Sequence, residues 1–171
     1  MDTFKILVLL LVGGIHLASA YPLAFINSIS KQKDCPVPFQ DVGGKCLYFN
    51  TLGTGTWYDM ETFCHDLKGE MVKIDSADFL YDIVQFIVDE KLSPEDYWIG
   101  ATDEGHEGDW RWPDNSIVKR GTPFWGTLPY EPEVQEPAGG TVENCAFLPK
   151  RYLFFMHDWD CAKSTSVICE Y

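Results

Sequence analysis

The sequence is poor in basic residues. Its 171 residues include 13 Lys and Arg against 26 Asp and Glu, which gives a formal net charge of −13 at pH 7. Nucleic acids and anionic membrane surfaces are bound through basic patches. We therefore expect no nucleic-acid partner and no binding to an acidic membrane.

Long apolar runs are also missing, except for a short one at the start of the chain. Lys5 precedes an apolar stretch, Ile6–Val12, and the small residues Ala18-Ser19-Ala20 follow it. This pattern is typical of a cleaved secretion signal, and the run is too short to span a bilayer. We predict that residues 1–20 are a signal peptide, that the mature protein is secreted and extracellular, and that no segment inserts into a membrane. The alternative is a buried N-terminal helix.

Motifs of the common enzyme classes are absent. The sequence contains no Gly-x-Ser-x-Gly elbow, no His-Glu-x-x-His pair and no phosphate-binding loop. It has no Asn-x-Ser/Thr sequon and no Cys-x-x-Cys pair, so neither N-glycosylation nor a zinc ribbon is expected. Glu131 and Glu133 could serve as a pair of glycosidase carboxylates, but they lie in a Pro-rich loop without an evident sugar cleft. We predict a binding protein and not an enzyme.

The six cysteines all follow residue 20. An even number of cysteines in an exported chain indicates disulfide bonds. Many pairings are possible, and the residues themselves favour only one. Cys35 and Cys46 flank a Gly43-Gly44 turn between short extended runs, so they could close a small hairpin.

The order of predicted elements gives the fold class. Thr56 can cap a helix that begins at Trp57 and stops at Gly69, and Asp75 or Ser76 can cap a second helix. Short strands are predicted at 37–39, 45–49, 71–74, 97–101 and 109–112. A Pro- and Gly-rich segment without predicted structure, 121–142, follows them, and we call it the long loop. We predict an α+β domain over residues 35–171, with two helices packed on antiparallel sheets, after a lead-in at 21–34.

Landmarks spread over residues 35–170 carry a resemblance to a known family. They are Cys35, Cys46, Trp57, Cys64, Trp98-Ile99-Gly100, Gly108, Trp110, Trp112, Trp125, Glu143-Asn144-Cys145, Cys161 and Cys169. Because of the order and spacing of these landmarks, the chain resembles the C-type lectin-like domain in its secreted, single-domain long form. The resemblance implies the pairs Cys35–Cys46, Cys64–Cys169 and Cys145–Cys161. It also implies a binding module, often for sugars held through calcium.

The family's calcium ligands map onto this chain with two losses. In sugar-binding members, calcium is held by a Glu-Pro-Asn or Gln-Pro-Asp tripeptide whose proline is cis, by a later Glu, and by an Asn-Asp pair. The resemblance assigns Glu136-Pro137-Ala138 to the tripeptide, Glu143 to the later Glu, and His157-Asp158 to the pair. Ala138 and His157 supply no side-chain oxygen, so we expect a weaker calcium site. Glu131-Pro132-Glu133 is the alternative tripeptide.

Other metal assignments remain open at this point. The resemblance implies an auxiliary calcium site at Asp103, Glu107 and Asn144, completed by Glu143, with Gly139 where the family has a loop acid. His157 with Glu143 and Asp158 could instead hold zinc, which accepts nitrogen and carboxylate ligands. The same acids could also be a solvated surface that binds no metal.

The family resemblance leads to two functional hypotheses. The first is a secreted carbohydrate-binding protein, with a degenerate calcium site, that recognises microbial or cell-surface glycans or glycoproteins in innate immunity. The second is a calcium-independent module that binds a protein through exposed loop aromatics, Trp125 and Tyr130. The sequence leaves the identity of the sugar and the oligomeric state open.

Overall fold

The computed structural model describes residues 33–92, 95–119, 124–129 and 132–171. The expected signal peptide and most of the lead-in lie outside the described residues, and so do Tyr130 and Glu131. Within the described ranges, no helix is both long enough and apolar enough to cross a membrane.

Helix α1, Trp57–Asp66, begins where the sequence predicts. The Asp59 N–H donates to the Thr56 hydroxyl, and the Thr56 N–H donates to the Asp59 carboxylate at 3.0 Å. Two of the N–H groups that a helix start leaves without a partner are thereby satisfied.

The end of α1 differs from the prediction by one residue. The left-handed residue that ends the helix is Lys68, with φ 61°, and the next N–H, that of Gly69, donates to the Cys64 carbonyl at 3.0 Å. Gly69 is required for a different reason, because a Cβ there would stand 2.5 Å from the Glu170 carbonyl oxygen. The glycine therefore allows a close approach to a neighbouring strand and does not itself turn the chain.

Helix α2, Ala77–Asp89, begins after Ser76, whose hydroxyl accepts the Phe79 N–H at 3.1 Å. Of the two predicted caps, Ser76 is the one used. One face of the helix is buried, through Phe79, Leu80, Ile83 and Ile87. This apolar stripe places α2 against the core, as its periodicity predicts.

The strands form one large sheet and one small hairpin within the described residues. The large sheet has the order β1 (Gln40–Val42), β2 (Lys45–Phe49), β9 (Ser166–Glu170), β4 (Tyr97–Thr102), β7 (Cys145–Leu148) and β8 (His157–Trp159), and β3 (Glu70–Met71) also pairs with β9. Its neighbours are antiparallel, except that β4 and β9 run parallel. The hairpin joins β5 (Thr127–Leu128) and β6 (Val134–Gln135). The α+β class is therefore confirmed, and β8 lies at one edge of the described sheet.

Several predicted strands and loops are wrong in detail. Residues 37–39 are not a strand, because Pro36–Phe39 form a turn closed by the Phe39 N–H and the Pro36 carbonyl at 2.7 Å. The strand predicted at 71–74 ends at Met71, and that at 109–112 is reduced to isolated bridges at Arg111. The long loop is more ordered than predicted, since it contains the β5–β6 hairpin and a 3₁₀ turn, Gly140–Val142.

The six cysteines form three disulfide bonds, Cys35–Cys46, Cys64–Cys169 and Cys145–Cys161. These are the pairs that the family resemblance implies. The last of them joins β7 to the chain just after β8, and it reinforces the pairing that fixes this edge of the sheet.

Trp125 lies in the core and not on the surface. Its side chain is 0% exposed, its indole N–H donates to the Lys119 carbonyl at 3.1 Å, and its ring meets Trp110 edge-on at 5.0 Å. The expectation that Trp125 is an exposed aromatic contact is therefore wrong. A large indole gains more from full burial with a satisfied N–H than from a place in a solvated loop.

Candidate functional site

Asp158, on the edge strand β8, holds the long loop through two hydrogen bonds. The Ala138 N–H donates to Asp158 Oδ1 at 3.1 Å, and the Gly139 N–H donates to Oδ2 at 2.7 Å. The Glu136–Pro137 peptide bond is cis, as the resemblance implies for the family's tripeptide. The structure thus brings residues 136–138 to the edge of β8. Glu131, in the alternative tripeptide, lies outside the described residues.

Glu136 lies between the two side chains of β8 that the sequence analysis singled out. Its Oε1 is 3.4 Å from His157 Nδ1, and its carboxyl group is hydrogen-bonded to Asp158. His157 and Asp158 are adjacent on a strand, so their side chains leave on opposite sides. Glu136 can reach both because the loop approaches β8 along the edge of the sheet. All three side chains are buried.

The pKa values of the Asp158 and Glu136 carboxyl groups are shifted in opposite directions. Burial raises the pKa of Asp158 to about 7, and the neighbouring Glu136 carboxyl acts in the same direction. Burial also tends to raise the pKa of Glu136, but hydrogen bonds with His157 and Asp158 outweigh it, and its pKa lies below the ordinary value. Asp158 is therefore the weaker acid of the pair and Glu136 the stronger one.

Glu143 approaches the same site from the 3₁₀ turn of the loop. Burial, followed by the Glu136 and Asp160 carboxylates, raises the pKa of Glu143. Its side chain lies across Gly139, where an added Cβ would stand 2.1 Å from Glu143 Oε2. This contact explains why a loop acid, which the family has at this position, does not fit here.

This donor set does not fit calcium. The ion takes about six to eight oxygen ligands, whereas Ala138 has no side-chain oxygen and His157 presents nitrogen. Both oxygens of Asp158 already accept backbone N–H groups. Among the described residues, no group of three or more His, Cys, Asp or Glu is arranged to hold a metal ion. The zinc alternative therefore gains no support either.

The residues of the expected auxiliary site are brought together only in part. Asp103 is buried and its Oδ2 accepts the Gly108 N–H at 2.8 Å, while its own N–H donates to the Asn144 carbonyl at 3.2 Å. Glu107 is exposed, and Asn144 donates its side-chain amide to the Thr141 carbonyl at 3.4 Å. Asp103 therefore stabilises its own turn and the contact of that turn with residue 144. Among the described residues, this region too contains no group of His, Cys, Asp or Glu side chains arranged to hold a metal ion.

A groove beside the loop was missed by the sequence analysis. It runs between segments 125–129 and 151–155, and His157 contributes to its lining. We call it the His157 groove. The imidazole stacks on the Tyr152 ring, with centroids 4.4 Å apart and planes at 19°. Its Nε2 atom is buried and has no hydrogen-bond partner among the described residues.

One wall of the groove displays apolar side chains on a left-handed turn. Leu153 and Phe154 have φ values of 57° and 61°, a conformation that costs side chains such as theirs of the order of 1 kcal/mol each. In this arrangement Leu153 is 74% exposed and Phe155 39% exposed, while Phe154 is buried. The sequence signal was the pair Lys150-Arg151 directly before an apolar run in an acidic chain.

Comparison with known proteins identifies the family. The family described as Lectin C-type domain matches residues 54–171. The chain belongs to this family. Human C-type lectin domain family 17, member A is 35% identical over 136 residues, which cover 80% of this chain and 32% of the human protein. Chicken hepatic lectin is 28% identical over 128 residues, which cover 75% of this chain and 51% of that protein. The chain thus spans about a third of the human protein and about half of the chicken protein.

The fold of the C-type lectin family is also found in the solved structures. The mouse scavenger receptor C-type lectin carbohydrate-recognition domain has a TM-score of 0.61 and 29% sequence identity. The match covers 81% of this chain and 98% of that domain. The landmarks of the sequence therefore led to the correct family and fold.

Proposed function

We propose that the protein is a secreted carbohydrate-binding lectin that recognises microbial or cell-surface glycans in innate immunity, and that it does so without calcium at the long loop. The mouse relative, by its name, recognises carbohydrate, and this chain matches almost all of that domain. The observation that carries the calcium-independent part is the pair of hydrogen bonds from the loop to Asp158.

The physical argument concerns what holds the sugar. In the sugar-binding members that the chain resembles, sugar hydroxyls complete the coordination of the ion. Here Asp158 orients the loop directly, and two of the expected oxygen donors are missing. A sugar must then be bound by protein groups alone, through hydrogen bonds and contact with aromatic faces. The His157 groove offers both kinds of group.

A glycan array, probed once with calcium and once with EGTA, tests the proposal. We expect the same glycans to bind with similar intensity in both buffers. A calcium-dependent lectin run in parallel verifies that the chelator acts. If no glycan binds in either buffer, the carbohydrate function is wrong. If binding occurs only with calcium, the calcium-independent part is wrong.

Protein binding is the second candidate, and an exposed apolar surface favours it. Leu153 and Phe155 also line a shallow depression against helix α2, next to Tyr81, which is 63% exposed. Exposed apolar residues that cluster in this way often mark protein contacts. Binding to a glycoprotein that survives enzymatic removal of its glycans would favour this candidate. We expect no turnover of oligosaccharides in either case.

A further inference from the structure

We propose that the protein forms a symmetric homodimer through an apolar surface made by helix α2 and the turn at Leu153. In this dimer, Lys150 and Arg151 of each copy face the acidic side of α2 in the other copy. The partner of the exposed apolar residues described above is then a second copy of the chain. The dimer does not depend on the proposed carbohydrate function, because no glycan takes part in its contacts.

The first observation is an apolar stripe on the outer side of α2. Tyr81 is 63% exposed, Val88 is 54% exposed, and Val84 between them is half-buried. Because a helix turns by about 100° per residue, these three side chains lie on one face. This stripe differs from the set of fully buried side chains with which α2 packs on the core. Exposed apolar residues that cluster in this way are typical of a protein contact.

The second observation is the shape of the surface beside the stripe. Leu153 and Phe155 line the His157 groove on one side and the shallow depression against α2 on the other, so they form a ridge between the two. Leu80, Tyr81 and Val84 line the opposite wall of the depression. A two-fold axis between ridge and depression places the ridge of each copy in the depression of the other. An isologous interface requires this kind of self-complementary surface.

The charges on the two sides of this surface are also complementary. Arg151 lines the groove on the outer side of the ridge, and Lys150 precedes it. Across the depression, Asp78 and Asp89 lie roughly 60–80° further round α2 than Tyr81, on the side away from the ridge. All four charged residues are exposed, and none forms an ion pair with the described residues. The same two-fold axis brings the basic pair of each copy to the acidic side of α2 in the other.

The size of the surface predicts a weak dimer. Aromatic side chains bury about 150–250 Å² each and aliphatic ones somewhat less. The exposed fractions of Tyr81, Val88, Leu153 and Phe155 therefore amount to about 400 Å² per copy. A standard interface buries about 800 Å² per partner, so the charged margins must contribute the rest. We expect a dissociation constant of about 1–100 µM.

Sedimentation velocity in EGTA, at protein concentrations from about 1 to 500 µM, measures the association. We expect monomer at the lowest concentration and dimer at the highest. Leu153→Asn should weaken the association at least about tenfold, because it removes the most exposed side chain of the ridge. Asn accepts the left-handed backbone at this position. Leu52→Asn is the matched control, since Leu52 is 89% exposed outside this surface, and it should leave the association unchanged.

A pair of charge-reversal variants tests the two-fold arrangement. One carries Lys150→Glu and Arg151→Glu, and the other carries Asp78→Arg and Asp89→Arg. Each should be monomeric alone at concentrations where the wild type is a dimer, because like charges then meet in both contacts. An equimolar mixture should form a dimer, because both contacts of the mixed pair join opposite charges. Both variants keep a net negative charge, since the wild-type charge is −13, so overall attraction does not explain such a complex.

The outcomes separate the dimer from the other proposals. Wild-type protein that stays monomeric over the whole range would overturn the dimer and leave the carbohydrate function standing. A dimer that persists in Leu153→Asn, or in either charge-reversal variant alone, uses a different surface, which also refutes the proposal. The same holds if the two charge-reversal variants, each shown by circular dichroism to be folded, stay monomeric when mixed.

Discussion

Asp158 is the residue on which the position of the long loop most directly depends. Its two oxygens accept the N–H groups of Ala138 and Gly139, and its carboxyl group is hydrogen-bonded to Glu136. Asp158→Ala removes all of these contacts at once. We expect the loop to lose its attachment to β8 and the domain to become less stable, in the absence of calcium.

The size of the effect follows from the hydrogen bonds that are lost. A hydrogen bond between neutral groups contributes about 0.5–1.5 kcal/mol, and one to a charged group contributes about 1.5–3 kcal/mol. The Ala138 N–H also donates to Glu136 Oε2 at 3.1 Å and keeps that acceptor in the variant, so we expect the free energy of unfolding to fall by about 2–3 kcal/mol. At about 3 °C per kcal/mol, the melting temperature should fall by about 6–9 °C. Asp158→Asn should cost less, about 1 kcal/mol, because the amide keeps one acceptor and can donate to Glu136 as the protonated carboxyl does.

Thermal unfolding followed by circular dichroism in EGTA measures these differences. Glu133→Ala is the control, because it removes a carboxylate from an exposed position in the same loop and should change the stability by no more than about 0.5 kcal/mol. Wild-type protein should melt at the same temperature with millimolar calcium as with EGTA, since an ion stabilises only in proportion to its binding. If Asp158→Ala melts like Glu133→Ala, the bonds to Asp158 do not hold the loop. A calcium-dependent rise for the wild type would show that the ion still binds.

Three further outcomes are expected. Ala138→Asn combined with His157→Asn restores two side-chain oxygens, so the double variant should melt at a higher temperature with calcium than with EGTA. Equal melting temperatures would mean that residues 136–138 do not form a calcium site even when these oxygens are restored. Replacing both cysteines of the Cys145–Cys161 disulfide with alanine opens a loop of 16 residues, which should cost about 3 kcal/mol in thermal unfolding and weaken glycan binding on the array. The hydrogen bond to the Glu104 carboxylate raises the pKa of Tyr58 to about 12, so the stabilisation from this contact should be lost as the pH rises from about 10 to 12. Glu104→Gln should lower the pKa of Tyr58, measured by phenolate absorbance, and an unchanged titration would contradict the contact.

The helix starts could be predicted from the sequence because capping is local. Thr56 and Ser76 each bind an N–H three residues away, so a short stretch of sequence contains the whole interaction. The end of α1 was less predictable. Residue type alone predicts that the helix stops at Gly69, but the close approach of the Glu170 carbonyl to this glycine depends on β9, about a hundred residues later.

The carboxylates of the site could be named from the sequence, but their roles could not. The resemblance placed Glu136 and Asp158 beside each other, whereas the raised pKa of Asp158 and its two bonds with backbone N–H groups depend on how the loop meets the edge of β8. The groove was missed for a similar reason. The run from Tyr152 to Phe155 is apolar enough to be core, and only the left-handed turn at Leu153 brings part of it to the surface.

The same contacts link the disulfide framework to the groove. The Cys145–Cys161 disulfide and the β7–β8 pairing fix the edge strand. Asp158 then fixes the loop on one side of that strand, and Glu136 fixes the His157 ring through Nδ1. Each step is a bond within the protein, so the orientation of the His157 ring should not depend on an ion. A glycan bound in the His157 groove should therefore bind equally well in EGTA, and the loss of Asp158 should weaken that binding even though Asp158 does not line the groove.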